Sequence, residues 1–227
     1  MKVKGLSGNA LKIIAAITMT IDHVGMILFP QMEIFRMIGR IAFPLFAFFV
    51  AEGCRYTHNK RKYLGIILSL GLMFHVVFVW ATGQTMFNIF ITFSFSILLT
   101  YLLQGTVKAI REGTWQRQIL SGILFFGMFL FTYLFTDRFV VDYGFFGIMI
   151  PVIVSLFDSL WKRKIAFLIG VLLLVISMHT YVQSFCLLAV PLLFLYNGER
   201  GKYKMKYFFY IFYPAHLSIL FLIDMFI

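Results

Sequence analysis

Asp22 and His23 stand next to each other in "LKIIAAITMTIDHVGMILFP", the first long apolar run of the chain. Ionisable side chains in hydrocarbon are costly, and where they persist they are paired or they work. Adjacent helical residues point about 100° apart. Asp22 and His23 therefore cannot serve each other, and each needs a partner from a neighbouring element. Thr18, one turn before Asp22 on the same face, offers it a hydroxyl. Three more apolar runs carry residues of this kind: Arg40 in "FRMIGRIAFPLFAFF", His75 in "GLMFHVVFVW" and His216 in "FYPAHLSIL". Asp142 opens a further run, "VVDYGFFGIMIP". Such a set can hold a bundle together, with Asp22 paired to Arg40 and the histidines bonded across helices. It can also handle protons, which histidine does near neutral pH. Contributions from four separate runs are an expensive way to stabilise a bundle, so chemistry is the stronger reading. His75, alone on its run, fits a structural hydrogen bond equally well.

The elements that must bring these residues together are transmembrane helices. The 227 residues are 61% hydrophobic, 19% aromatic and only 13% charged, with a mean hydropathy of +0.92. Soluble domains run at about half apolar and about a quarter charged. The expected fold is an all-α polytopic transmembrane helical bundle, a single domain over residues 1–227. The apolar runs place about nine spans, near 11–29, 36–53, 63–81, 86–104, 118–135, 143–157, 164–178, 180–196 and 207–226. The sixth and seventh are short for a ~30 Å hydrocarbon core and are expected to tilt, merge or re-enter. At ~1.5 Å of rise per residue, Asp22, His23, Arg40, His75 and His216 all fall ~14–20 Å from one face.

Net charge is +11. All of the 20 lysines and arginines except Arg36, Arg40 and Arg138 lie at one end of the expected spans. Lys2, Lys4 and Lys12 precede the first, and Arg55, Lys60, Arg61 and Lys62 follow the second. Lys108, Arg111 and Arg117 follow the fourth, Lys162, Arg163 and Lys164 the sixth, and Arg200, Lys202, Lys204 and Lys206 the eighth. This alternation sets a cytoplasmic N-terminus and an external C-terminus in a multi-pass protein of the cytoplasmic membrane, with the lipid bilayer and its anionic headgroups as neighbours. Basic charge confined to short loops between apolar runs excludes nucleic acid as a partner. The N-terminus imitates a signal peptide, but Asp22 and His23 interrupt its apolar run and no small-residue cleavage site follows, so it reads as a retained first span. Cys54 and Cys186 have no zinc spacing and are expected as free thiols, and no metal site is expected. His179 falls in a short outer turn, and His58 lies in the basic loop as a solvated residue or an anion ligand.

Taken together, "LKIIAAITMTIDHVG", "FRMIGRIAFPLFAFFVAEGCRYTHNKRKY", "VVDYGFFGIMIP" and "FYPAHL" resemble the TraX family, which includes membrane proteins that acetylate the N-terminus of conjugative pilin. The resemblance is strongest over the N-terminal third. It implicates Asp22, His23, Gly39, Arg40, Phe43, Pro44, Glu52, Gly53, Arg55, Tyr56, His58, Arg61, Tyr63, Asn88, Asp142, Tyr143, Gly144, Pro214 and His216. It implies an acyltransferase with acetyl-CoA as co-substrate and a peptide or glycan acceptor.

That reaction needs a general base, a carboxylate to orient it, and a donor for the developing oxyanion. The expected assignments are His23 or His216 as base, Asp22 or Asp142 as carboxylate, and Arg40 or Asn88 as donor. The phosphates of acetyl-CoA want guanidinium or ammonium partners, which Arg55, His58, Lys60, Arg61 and Lys62 of "RYTHNKRKY" supply. Tyr56 and Tyr63 would stack on the adenine, and Asn88 counts among the donor-binding residues as well. Glu52 is expected to pair with the adjacent basic loop. The alternative is a secondary transporter that uses the Asp, His and Arg set as a relay. The absence of matched repeats or paired broken helices stands against it. A scaffold would leave the buried charges without a role.

Overall fold

The computed structural model describes residues 5–202 and 205–226. Lys2, Lys4 and Lys204 of the basic pattern, with the side chain of Lys206, lie outside the described residues. Among the described residues the chain is helical, with only two isolated β-bridges. The helices are α1 (Gly8–Ile27), α2 (Glu33–Gly39), α3 (Ala42–Tyr56), α4 (Lys60–Thr82), α5 (Ile89–Glu112) and α6 (Trp115–Arg138). They continue with α7 (Gly144–Ser155), α8 (Leu160–Met178), α9 (Tyr181–Ser184), a 3-10 turn (Phe185–Leu188), α10 (Ala189–Phe194) and α11 (Lys206–Asp224). Among the described residues, five helical stretches are long and apolar enough to cross a membrane: Gly8–Ile27, Glu33–Tyr56, Lys60–Trp80, Ile89–Glu112 and Trp115–Arg138. Shorter apolar helices cover Gly144–Ser155, Tyr181–Phe194 and Ile211–Asp224. The molecule is a helical membrane protein.

Local chemistry sets many of the boundaries. Ser7, Asn59 and Asn88 cap α1, α4 and α5, each side chain accepting a backbone N–H of the first turn. Gly83 ends α4 in the left-handed conformation. The second expected span is broken at Arg40 and Ile41, between α2 and α3. The sixth is a 12-residue helix, about 18 Å long and too short to cross a ~30 Å core by itself. The seventh starts earlier than its apolar run suggests, because Lys162, Arg163 and Lys164 are already helical in α8. The eighth is divided into α9, the 3-10 turn and α10.

The chain divides into two compact units, one of Met1–Phe49 with Val175–Ile227 and the other of Val50–Leu174. In the first, the segment ahead of α1 pairs with the loop after α10. Leu6 N–H donates to Leu195 O at 2.8 Å, and Gly8 and Asn9 N–H donate to Glu199 O and Arg200 O at 2.8 and 2.9 Å. These bonds satisfy donors that a helix start leaves open. α1 and α2 approach through two glycines. The space a Cβ would need at Gly25 is filled by Phe35, and at Gly39 by the carboxylate of Asp22. Small residues let helices close in this way where lipid removes the hydrophobic drive between them.

In the second unit, α5 turns small hydroxyls inward. Ser96 Oγ donates to Ile148 O of α7 at 2.8 Å, and Thr92 Oγ1 donates to Asp142 O at 2.7 Å. Around Leu99, Val141, Ile148 and Val152 a shell of phenylalanines, among them Phe87, Phe95, Phe129 and Phe135, fills the core.

Gly39→Ala is expected to lower the unfolding temperature in detergent and cost about 1–3 kcal/mol, as an overpacked contact does. Gly122→Ala, on an open face of α6 with nothing within 4 Å, is expected to be neutral or to stabilise by up to ~1 kcal/mol. Thermal scans of both variants check this; equal effects would refute a special contact at Gly39.

Candidate active site

α1 sends its two adjacent ionisable residues to different neighbours, as their angular separation demands. Asp22 faces α2. Arg36 Nη1 donates to its Oδ2 at 2.8 Å, and Arg40 Nη2 donates to Oδ1 at 2.9 Å and to Oδ2 at 3.1 Å. The expected pairing with Arg40 is present, and Arg36 joins it. The side chains of Asp22 and Arg40 are each only 12% exposed, against 33% for Arg36. One carboxylate between two guanidiniums leaves the triplet with a net charge of +1. Thr18 does not reach Asp22; its hydroxyl donates to the carbonyls of Ile14 and Ala15 in its own helix.

Arg40 is held from three further directions. Its Nε reaches Arg36 O at 3.4 Å, and its Nη1 reaches Gln183 Oε1 at 3.4 Å. Gln183 Nε2 donates to Cys186 Sγ at 3.1 Å, and Cys186 Sγ reaches Arg40 O at 3.2 Å. Cys54 and Cys186 are free and buried. Sequence reasoning read Arg36 as a topological charge and passed over Gln183. The signals were there: Arg36 lies four residues before Arg40, on one helix face, and Gln183 is an amide in an apolar run.

His23 faces α11. Its Nδ1 lies 2.8 Å from His216 Nε2, and His216 Nδ1 lies 2.8 Å from Phe212 O. A carbonyl only accepts, so His216 carries its proton on Nδ1 and its Nε2 accepts from His23 Nδ1–H. With both rings neutral, the lone pair left over is on His23 Nε2. His216 is buried and His23 half-buried, with Tyr213 edge-on to both rings. Pro214 in "YPAHL" has no N–H to give the carbonyl four residues back, which loosens the ladder one turn before His216.

Asp142, Tyr143, Asn88 and His75 belong to the second unit, and His179 to the first. Asp142 and Tyr143 form the turn into α7, with Asp142 N–H on Phe87 O at 2.9 Å and Tyr143 at φ 61°. Asn88 commits both ends of its amide, Nδ2 to Gly71 O at 2.8 Å and Oδ1 to the N–H of Phe90 at 3.0 Å. His75 stacks on Phe87 and bonds Met86 O at 3.2 Å. His179 reaches Ser177 O at 2.9 Å. Among the described residues no group of three His, Cys, Asp or Glu could hold a metal.

The second unit also holds a cavity of about 550 Å³ whose lining includes Arg55 and Tyr56 with Lys60, Gln104, Lys108, Arg111 and Arg163. His58, Arg61 and Tyr63 do not line it; Tyr63 closes on Gly53 instead. Glu52 pairs with Arg163 of α8 and not with the neighbouring loop, because α3 carries it inward, where it is buried.

A family model described as "TraX protein" matches residues 7–224. The chain is similar to "Probable fimbrial assembly protein FimC, serogroup H1" of Dichelobacter nodosus, 26% identical over 94% of each chain. It is also similar to "Uncharacterized protein RP591" of Rickettsia prowazekii (strain Madrid E), 44% identical over 27% of this chain and 25% of that protein. No solved structure matches it.

Removing one partner of a buried ion pair costs about 3–5 kcal/mol. Arg40→Gln is therefore expected to destabilise the detergent-solubilised protein by that much, and Arg36→Gln, at the more exposed end, by distinctly less. Unfolding midpoints read the difference, and the reverse order would contradict the ranking.

Proposed function

The chain belongs to the TraX protein family, and from that premise we propose that it is a membrane-embedded acetyltransferase of the cytoplasmic membrane. It takes an acetyl group from cytoplasmic acetyl-CoA and passes it to the N-terminal amine of a fimbrial subunit or to another envelope acceptor. The name of the Dichelobacter nodosus relative, a fimbrial assembly protein, supports an acceptor of that kind. The lysine- and arginine-rich helix ends face the cytoplasm on this reading.

The observation that carries the proposal is the oriented pair His23–His216 together with the net-positive Asp22–Arg36–Arg40 triplet, the two joined through the adjacent Asp22 and His23 of α1. His23 Nε2 is the general base. It takes the proton of the acceptor amine as the nitrogen attacks the thioester carbonyl. His216, anchored on Phe212 O, holds the His23 ring in the tautomer that exposes that lone pair. Arg36 and Arg40 supply the positive field for the oxyanion, since their joint charge exceeds what Asp22 neutralises. Collapse of the oxyanion breaks the carbon–sulfur bond, and His23 returns the proton to the leaving thiolate. Asp22 positions the two arginines.

The test is transfer of labelled acetyl from acetyl-CoA to a peptide with a free N-terminus, using purified protein in detergent. His23→Ala is expected to lower turnover by about 10²–10⁴-fold. His216→Ala is expected to lower it less, since the base remains and only its orientation is lost. Near-normal turnover in both variants would sink histidine base catalysis. No label on peptide, protein or released acetate at millimolar acetyl-CoA would sink the acetyltransferase.

A further inference from the structure

We propose that the cavity of the second unit is a phosphate-anchoring site; resting on the acetyltransferase reading, its occupant is the nucleotide end of the acyl donor. Its volume of about 550 Å³ falls within the ~300–1,000 Å³ of small-molecule sites. Five cations line it, Arg55, Lys60, Lys108, Arg111 and Arg163, against three carboxylates, Glu52, Glu112 and Asp158.

Each carboxylate is already matched. Arg55 Nη1 meets Asp158 Oδ1 at 3.0 Å, Lys108 Nζ meets Glu112 Oε2 at 3.8 Å, and Arg163 pairs with Glu52 in the buried wall. Lys60 and Arg111 are left over. Lys60 is held by neutral groups only, its Nζ donating to Gln104 Oε1 at 2.8 Å and lying 4.8 Å above the ring of Tyr101. Arg111 has no ion-pair partner among the described residues. Two uncompensated cations in the lining of one cavity suit a phosphate monoester, which carries about −1.5 to −2 charges at neutral pH.

Membrane topology alone asks only that basic residues gather near helix ends. It does not ask them to converge from α3, α4, α5 and α8 on one cavity. Nor does it ask for a buried Glu52–Arg163 pair to shape the wall. The same chemistry would accept a lipid headgroup, so the test separates the two sources.

The experiment is titration calorimetry with CoA, adenosine 3′,5′-bisphosphate and inorganic pyrophosphate, on protein in nanodiscs of zwitterionic lipid. Lys60→Gln with Arg111→Gln is expected to weaken CoA and the bisphosphate by at least about tenfold, as loss of charged hydrogen bonds does. Arg117→Gln, a basic residue near the same helix ends but outside the cavity, should bind like wild type. Asp158→Asn releases Arg55 and should tighten binding several-fold, a gain that misfolding cannot produce. Equal CoA affinity in wild type and the double variant, or no gain in Asp158→Asn, overturns the site while leaving the acetyltransferase standing. If CoA fails to bind wild type, the acetyl-CoA reading falls and the nucleotide assignment with it. If phosphatidylglycerol in the nanodisc abolishes CoA binding to wild type, the occupant is a headgroup and the donor assignment is overturned.

Discussion

The first unit is organised around an ionised carboxylate in an apolar helix. Taking a charge out of water costs several kcal/mol even after relaxation, and only close, well-directed partners offset it. Asp22 has two, Arg36 and Arg40, at hydrogen-bond distance. That requirement shapes what surrounds it. α2 must come close enough for the Asp22 carboxylate to fill the place of a Gly39 side chain. The helix must break where Arg40 turns back to the carboxylate, and the broken α9–α10 segment contributes Gln183 and Cys186 to hold that arginine. Breaks and short helices in a membrane protein are tolerated where side chains satisfy the freed groups.

The neighbouring residue solves a different problem. Because adjacent helical positions diverge by about 100°, the carboxylate and the imidazole of "DH" cannot form the familiar acid–histidine pair. The ring of His23 is oriented by His216, and His216 by a backbone carbonyl of its own helix. A histidine–histidine–carbonyl chain fixes a tautomer without placing a second negative charge in the bilayer. The Asp22 carboxylate is then free to serve the arginines. Division of labour between two consecutive residues follows from helix geometry.

At the basic helix ends, one set of residues answers two demands. Lysines and arginines there orient a membrane protein, and most would do so from any solvated position. Arg163 does not, since it is buried against Glu52. A buried pair is weak evidence for stability, and here it forms the wall against which Arg55, Lys60, Lys108 and Arg111 are arranged.

Much of this was legible in the residues alone. The all-helical membrane class follows from composition and run length, because hydrocarbon leaves the backbone no other way to satisfy its groups. The Asp22–Arg40 pair and the search for partners on other helices follow from the cost of a lone charge. The motifs that resembled TraX lie within the matched residues 7–224. Arg36, Gln183 and the gathering of cations around one cavity were not legible, because side chains far apart in the chain meet only when packing fixes helix rotation and tilt. The breaks inside the second and eighth expected spans were hidden for the same reason. Hydropathy reports where a segment prefers to be, while the breaks at Arg40 and through α9–α10 coincide with polar partners that only tertiary contact supplies.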